Sequence, residues 1–211
     1  QDTWKVASVK ETTKLVSETD SRSSLIPLFN HPDAVFRTVD YYEPDILHLC
    51  DSVTDQHGIL ETCKDLIHLQ EGVKKRFPEV RIMRTIPIAQ TGMADRVHSI
   101  ELGRIFEPVS DYFLTDTLLV DSEQPESSFV GITGQTCDWD TAKQLVESSH
   151  IPVILAGGIS PDNVSDGIRH VRPAGVDSCT GTNALDPEGK PIRFKKDAEK
   201  VKRFVEAVLD T

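Results

Sequence analysis

Short apolar runs alternate with amphipathic stretches along this chain, and that alternation restricts its fold more than any other feature. Leu25 to Phe29, Ile46 to Cys50, Arg81 to Ile88, Tyr112 to Val120, Pro152 to Ala156 and Gly175 to Cys179 read as strands. Ala34 to Tyr42, Ile59 to Phe77, Met93 to Phe106, Thr141 to Glu147, the stretch after Ser160-Pro161 and Asp197 to Leu209 read as helices. The second of these carries Ile59, Leu60, Cys63, Leu66, Ile67, Val73 and Phe77 on one stripe. Asp138 and Asp162 are expected to cap helices. Pro152 to Ala156 is apolar on both faces, as a buried parallel strand requires. Strand–helix alternation of this regularity implies parallel strands joined by crossover helices.

Two α/β architectures meet that description, an open doubly wound sheet and a closed barrel. No GxGxxG follows the first strand, which disfavours the dinucleotide-binding sheet. A (β/α)8 TIM barrel can be built from roughly 200 residues, and this chain has 211. Six strands are evident, with Lys5 to Val9 a candidate seventh, so the first one or two barrel strands are expected to be missing or atypical. Residues 1–211 are expected to form one domain, with 1–24 a poorly patterned segment that opens as if cut from something longer.

A formal charge of −11 argues against a nucleic-acid surface, which needs clustered Lys and Arg. No apolar run approaches the ~20 residues of a membrane helix, and no charged leader precedes an apolar stretch. Cys50, Cys63, Cys137 and Cys179 form no CxxC pair and read as reduced thiols of a cytoplasmic protein, not as metal ligands. His31, His57, His68, His98, His150 and His170 fall on loops or helices, so no metal site is expected.

Unusual residues concentrate where strands end. Asp121 closes Leu118-Leu119-Val120, the rim position at which barrels keep catalytic groups, unless it only caps a turn. Gly157-Gly158 lies between a buried strand and a helix start, where free N–H groups can approach a ligand. Thr180-Gly181-Thr182 follows the last strand. Glycine loops after the last two strands are a recurring phosphate clamp of barrels.

The blocks LLVDS, GITGQTCDW, VILAGGISPDNV and GVDSCTGTN…KKDAEKVKRFVEAV resemble, in order, those of the phosphoribosylanthranilate isomerase family. The resemblance covers about Leu25 to Leu209 and is strongest after Tyr112. It implies an Amadori-type aldose–ketose isomerisation of a ribosyl phosphate in tryptophan biosynthesis, without metal or organic cofactor. In that scheme a carboxylic acid protonates the ring oxygen and a first-strand cysteine removes the C2′ proton. The resemblance puts the general acid on Asp121. It puts the phosphate grip on Gly157, Gly158, Gly181 and Thr182, with Thr180 beside it, and matches Gly134 and Thr136 to a mobile substrate loop.

The departures are specific. No Lys-Ile-Cys-Gly strand occurs, the fourth-strand Gln-Leu-His-Gly reads His48-Leu49-Cys50-Asp51, and Gln135 replaces a lysine. A carboxylate of the last loop is replaced by Asn183. Cys50, at a strand end, is the alternative base. Two other readings stand beside the isomerase: a non-catalytic sugar-phosphate binder, and another ribulose-phosphate-barrel enzyme such as an epimerase or lyase. The expected partners are a small sugar phosphate and a second copy of the chain in a homodimer.

Overall fold

The computed structural model describes residues 6–55, 57–120, 129–131 and 133–211, the side chain of Phe194 excepted. Six parallel strands form one curled sheet: β1 (Ser24–Leu25), β2 (Ile46–Leu49), β5 (Arg81–Ala89), β6 (Tyr112–Leu118), β7 (Val153–Leu155) and β8 (Gly175–Val176), adjacent in that order. Each pair is parallel. The connections are the crossover helices α2 (Pro32–Tyr42), α3 (Cys63–Arg76), α4 (Ser99–Phe106), α5 (Trp139–Ser148) and α6 (Val164–Val171), and α7 (Ala198–Leu209) follows β8. The sheet is a curled half-barrel of the (β/α)-barrel type, without its first two strands among the described residues.

The two faces of the sheet differ because side chains alternate along a strand. Ile82, Ile86, Ile88, Phe113 and Leu155 face the helices and are fully buried against them. Met83, Leu114 and Ala156 pack on the opposite, concave face. His48 and Thr85 also meet there, with Nε2 and Oγ1 2.8 Å apart.

Several boundaries differ from those the sequence predicts. Of the candidate seventh strand, Lys5 to Val9, Lys5 lies outside the described residues and helix α1 (Ala7–Ser17) takes up Ala7 to Val9, because Val9, Thr13 and Val16 recur at helical spacing and turn toward the protein. It is tied to α2 by Val6 N–H donating to Tyr42 Oη (2.7 Å) and by Lys10 pairing with Glu43 (2.9 Å). The helix expected from Ile59 starts at Cys63, since β3 (Thr54–Asp55) and β4 (Gly58–Ile59) make a small hairpin first. The helix expected from Met93 starts at Ser99, after a single turn at Ala94–Arg96, because Val97 is extended. Pro161 to Asn163 is a turn and not helix, and α6 begins at Val164. The last sheet strand is only two residues long.

Asp138 does cap α5, accepting from Thr141 N–H at 2.8 Å. Asp162 caps nothing and instead pairs with Arg203 of α7 at 2.6 Å. A second hairpin, β9 (Asn183–Leu185) with β10 (Pro191–Lys196), lies between β8 and α7. Its turn is fixed by the Asp186 carboxylate, which accepts from Glu188 N–H (3.0 Å) and Lys190 N–H (2.7 Å).

A buried ion pair holds the chain after β2. Arg84, wholly buried on the helix side of β5, donates to the Asp51 carboxylate (3.1 Å) and to the Asp51 carbonyl (2.6 Å). Its guanidinium also stacks on Phe106, 4.7 Å from the ring centre.

Candidate site at the carboxyl end of the sheet

The glycine loops predicted from sequence converge at the carboxyl ends of β6, β7 and β8. Asp116, Gly157, Gly158, Asp177, Thr180 and Gly181 surround one small cavity of about 30 Å³. Gly134 joins them from the loop after β6, where an added Cβ would press on the Thr180 side chain. Thr182 and Thr136 do not line this cavity. Thr182 Oγ1 instead donates toward the Ser178 and Cys179 carbonyls, at 3.1 Å each, inside a single 3-10 turn (Thr180–Thr182).

The loop from 129 to 137, described except at 132, straps across the strand ends. Val130 N–H donates to the Cys50 carbonyl (3.0 Å), and Thr117 Oγ1 donates to the Gln135 carbonyl (2.6 Å). Gly131, at φ 108°, passes so close to Asp116 that a Cβ there would overlap its carboxylate. Gly158, at φ 67°, lies against the backbone of Gln135 and Thr136, where a Cβ also has no room. Asn163 locks the same turn by donating to the Gly158 carbonyl (3.0 Å) and accepting from Ser160 N–H (2.8 Å).

Asp116 is the residue that sequence reasoning missed. The general acid assigned by resemblance, Asp121, lies outside the described residues, and β6 stops at Leu118, short of it. Within β6, Leu114 packs on the concave face, and alternation puts Asp116 there too. Burial pushes the Asp116 carboxyl up to about 7, with the charge of Asp177 adding to the effect and the Thr117 N–H (2.8 Å) opposing it. An acid in the middle of a parallel strand, Leu114-Thr115-Asp116-Thr117-Leu118, was the available signal.

The neighbouring groups differ in state. Burial raises the Asp177 carboxyl, while Lys196 of β10 pulls it back. Lys196 Nζ donates to the Cys179 carbonyl (2.6 Å), Thr182 Oγ1 (2.9 Å) and the Ser178 carbonyl (3.3 Å). Cys50 is buried, and desolvation together with the Asp51 carboxylate pushes its thiol to about 12. Cys63 and Cys137 are buried as well, Cys137 likewise pushed to about 12, chiefly by burial. Among the described residues, no three His, Cys, Asp or Glu side chains converge as metal ligands. Among the same residues, no helix is long and apolar enough to cross a membrane.

The arrangement sets glycine-containing loop turns beside a carboxylic acid that titrates at about 7. The family model for N-(5′phosphoribosyl)anthranilate (PRA) isomerase matches residues 89–207. The chain is 36% identical over 139 residues to the N-(5′-phosphoribosyl)anthranilate isomerase of Methanocella arvoryzae, covering 66% of this chain and 55% of that one. To the enzyme of that name from Methanothrix thermoacetophila it is 32% identical over 176 residues, 83% of this chain and 66% of the other. It therefore spans about half the length of the first curated relatives it matches. In fold, it superposes on the phosphoribosylanthranilate isomerase of Pyrococcus furiosus with TM-score 0.62 at 17% identity, covering 96% of this chain and 81% of that one. The Thermotoga maritima enzyme gives 0.63 at 16% identity, with the same coverage. By the sequence match over more than half its length, the chain belongs to the N-(5′-phosphoribosyl)anthranilate isomerase family.

Proposed function

We propose that the full-length protein isomerises a ribosyl phosphate carrying an anthranilate-type amine, a cytoplasmic step of tryptophan biosynthesis, with Asp116 as the general acid. The observation that carries this reading is the placement of Asp116. It is half-buried, it is pushed up to about 7 by burial, and it faces the same cavity as the glycine cradle. A group with that pKa holds its proton near neutral pH and can still release it, which is what general-acid catalysis asks of a carboxyl. The phosphate of the substrate would rest on Gly157, Gly158, Gly181 and Thr180, leaving the furanose ring oxygen toward Asp116.

In the first step, Asp116 gives its proton to the ring oxygen as the bond from that oxygen to C1′ breaks. The nitrogen lone pair fills in behind, forming an open-chain iminium. The homodimer expected from sequence belongs to the same proposal, since the Thermotoga maritima relative is described as dimeric.

The experiment compares two variants of the full-length protein in a fluorescence assay of N-(5′-phosphoribosyl)anthranilate turnover. Asp116→Asn should lose at least about 10²-fold in kcat, the usual cost of a general acid, while Asp121→Asn stays within a few-fold of wild type. The reverse ranking would return the acid to Asp121. A wild-type protein without turnover would remove the isomerase reading.

A further inference from the structure

One lysine gathers the turn that follows the last sheet strand. Lys196, the last residue of β10, stands opposite Asn183, the first of β9. Its Nζ donates to the Cys179 carbonyl at 2.6 Å, to Thr182 Oγ1 at 2.9 Å and to the Ser178 carbonyl at 3.3 Å. An ammonium carries three N–H donors, so the turn takes all of them and none is left for a ligand. The start of α7 fastens the same turn twice more. Asp197 N–H donates to the Thr182 carbonyl (2.9 Å), and Lys200 Nζ to the Asn183 carbonyl (2.9 Å).

The carbonyls that Lys196 holds share peptide planes with the N–H groups that come next. In a planar trans peptide the C=O and the following N–H point in opposite directions, and among the described residues no peptide bond is cis. Drawing the Cys179 carbonyl onto Lys196 therefore aims the Thr180 N–H away from it, and drawing in the Ser178 carbonyl does the same for the Cys179 N–H. Cys179, Thr180 and Gly181 line the cavity with Gly157 and Gly158, and Lys196 stands outside that lining. The turn is also pressed on the loop after β7: Ser178 Oγ donates to the Ile159 carbonyl (2.6 Å), and a Cβ on Gly181 would overlap that carbonyl. Three oxygens that converge on one point repel each other unless a cation sits between them.

We propose that Lys196 is a positioning residue for the substrate's phosphate, aiming the N–H groups of the Cys179–Gly181 turn at it without touching it. This rests on the reading of the glycine loops as the phosphate site. The charge of Lys196 helps in a second way. Asp177 lines the same cavity, and Lys196 offsets a carboxylate that would repel a phosphate dianion. The neighbouring Lys195 is exposed, and strand alternation sends its side chain off the other face of β10.

The test uses the full-length protein, with inorganic phosphate as the probe in calorimetry and N-(5′-phosphoribosyl)anthranilate in the turnover assay. Lys196→Met should weaken phosphate binding more than about tenfold and raise KM by a similar factor, with kcat within about three-fold of wild type. Lys196→Arg, which keeps a cation and its donors, should regain most of the affinity. Lys196→Gln, with two donors and no charge, should fall between Lys196→Met and wild type. Lys195→Met should bind phosphate as wild type does. Phosphate affinity of Lys196→Met within about two-fold of wild type would overturn the assignment. So would a loss of kcat at unchanged KM, or a Lys196→Arg variant that folds and binds no better than Lys196→Met. If Lys196→Met does not fold, the ranking of wild type, Lys196→Arg and Lys196→Gln decides in the same way. A wild type that binds no phosphate would remove the phosphate reading of these loops and the role of Lys196 with it. A wild type that binds phosphate without turnover would remove only the isomerase reading, and calorimetry would still decide on Lys196.

Discussion

A carboxylic acid inside a buried strand is costly while ionised, and burial raises the Asp116 carboxyl to about 7 where it lines the cavity. Its residue-scale counterpart is Gly158, whose φ of 67° and contact with the Gln135–Thr136 backbone leave no space for a side chain. Gly158→Val is expected to weaken inorganic phosphate binding by more than tenfold, about 1.4 kcal/mol, as measured by calorimetry. Undiminished affinity in a folded variant would take Gly158 out of the cradle. At this scale the glycines and threonines were legible because they break an apolar pattern where a strand ends. The sequence puts the strand end at Val120-Asp121, whereas β6 ends at Leu118, so Asp116 reads there as an interior strand residue. Thr136 and Thr182 were readable as residue types, but the direction of their side chains depends on how two loops fold against each other.

At the scale of elements, the best-read pieces were those whose local sequence and tertiary role agree. Helix α5, with its Asp138 cap, and the buried strand β7 are of this kind. The pieces misread or unread were those where tertiary contacts decide, such as the start of α3 at Cys63 and the β9–β10 hairpin. The Arg84–Asp51 pair is another such decision, since nothing local announces that a strand arginine turns into the helix layer. Removing one partner of a buried pair strands the other charge, at a cost of about 3–5 kcal/mol. Arg84→Met should therefore destabilise the protein by an amount in that range in urea unfolding. Adding Asp51→Asn should recover part of the loss, because the orphaned charge is then gone. A single-variant effect below about 1 kcal/mol would indicate that water or rearrangement reaches the pair.

For the molecule as a whole, two buried groups make stability depend on pH in opposite senses. His48 is neutral in the fold, held down to about 4 by burial and by the Arg84 charge, against 6.5 when unfolded. The unfolded chain therefore binds more protons between those values, and stability is lost as pH falls from 6.5 toward 4. The effect is on the order of 3 kcal/mol. Asp116 is raised from 3.8 to about 7, so its contribution is complete below 3.8 and is lost as pH rises toward 7. Chemical denaturation at a series of pH values should find wild-type stability nearly level between about pH 4 and 6.5 as far as these two groups are concerned. His48→Gln should fall with rising pH there, and Asp116→Asn should climb. Parallel profiles for wild type and His48→Gln would mean that the imidazole is not held neutral.

What the sequence by itself determined is the order of the six sheet strands and their crossover helices, the parallel sheet they build, and the glycine-containing loops after the last two strands. Each of these follows from periodicity and backbone freedom within a few neighbouring residues. What only the tertiary structure decided is which side chains share a cavity. The strand register brings Asp116, Ala156 and Asp177 into one layer, and Lys196 arrives from a hairpin fourteen residues beyond Thr182, the hydroxyl it holds. Pairings of that kind join residues far apart in the chain, and their protonation states come from burial, which no local pattern records.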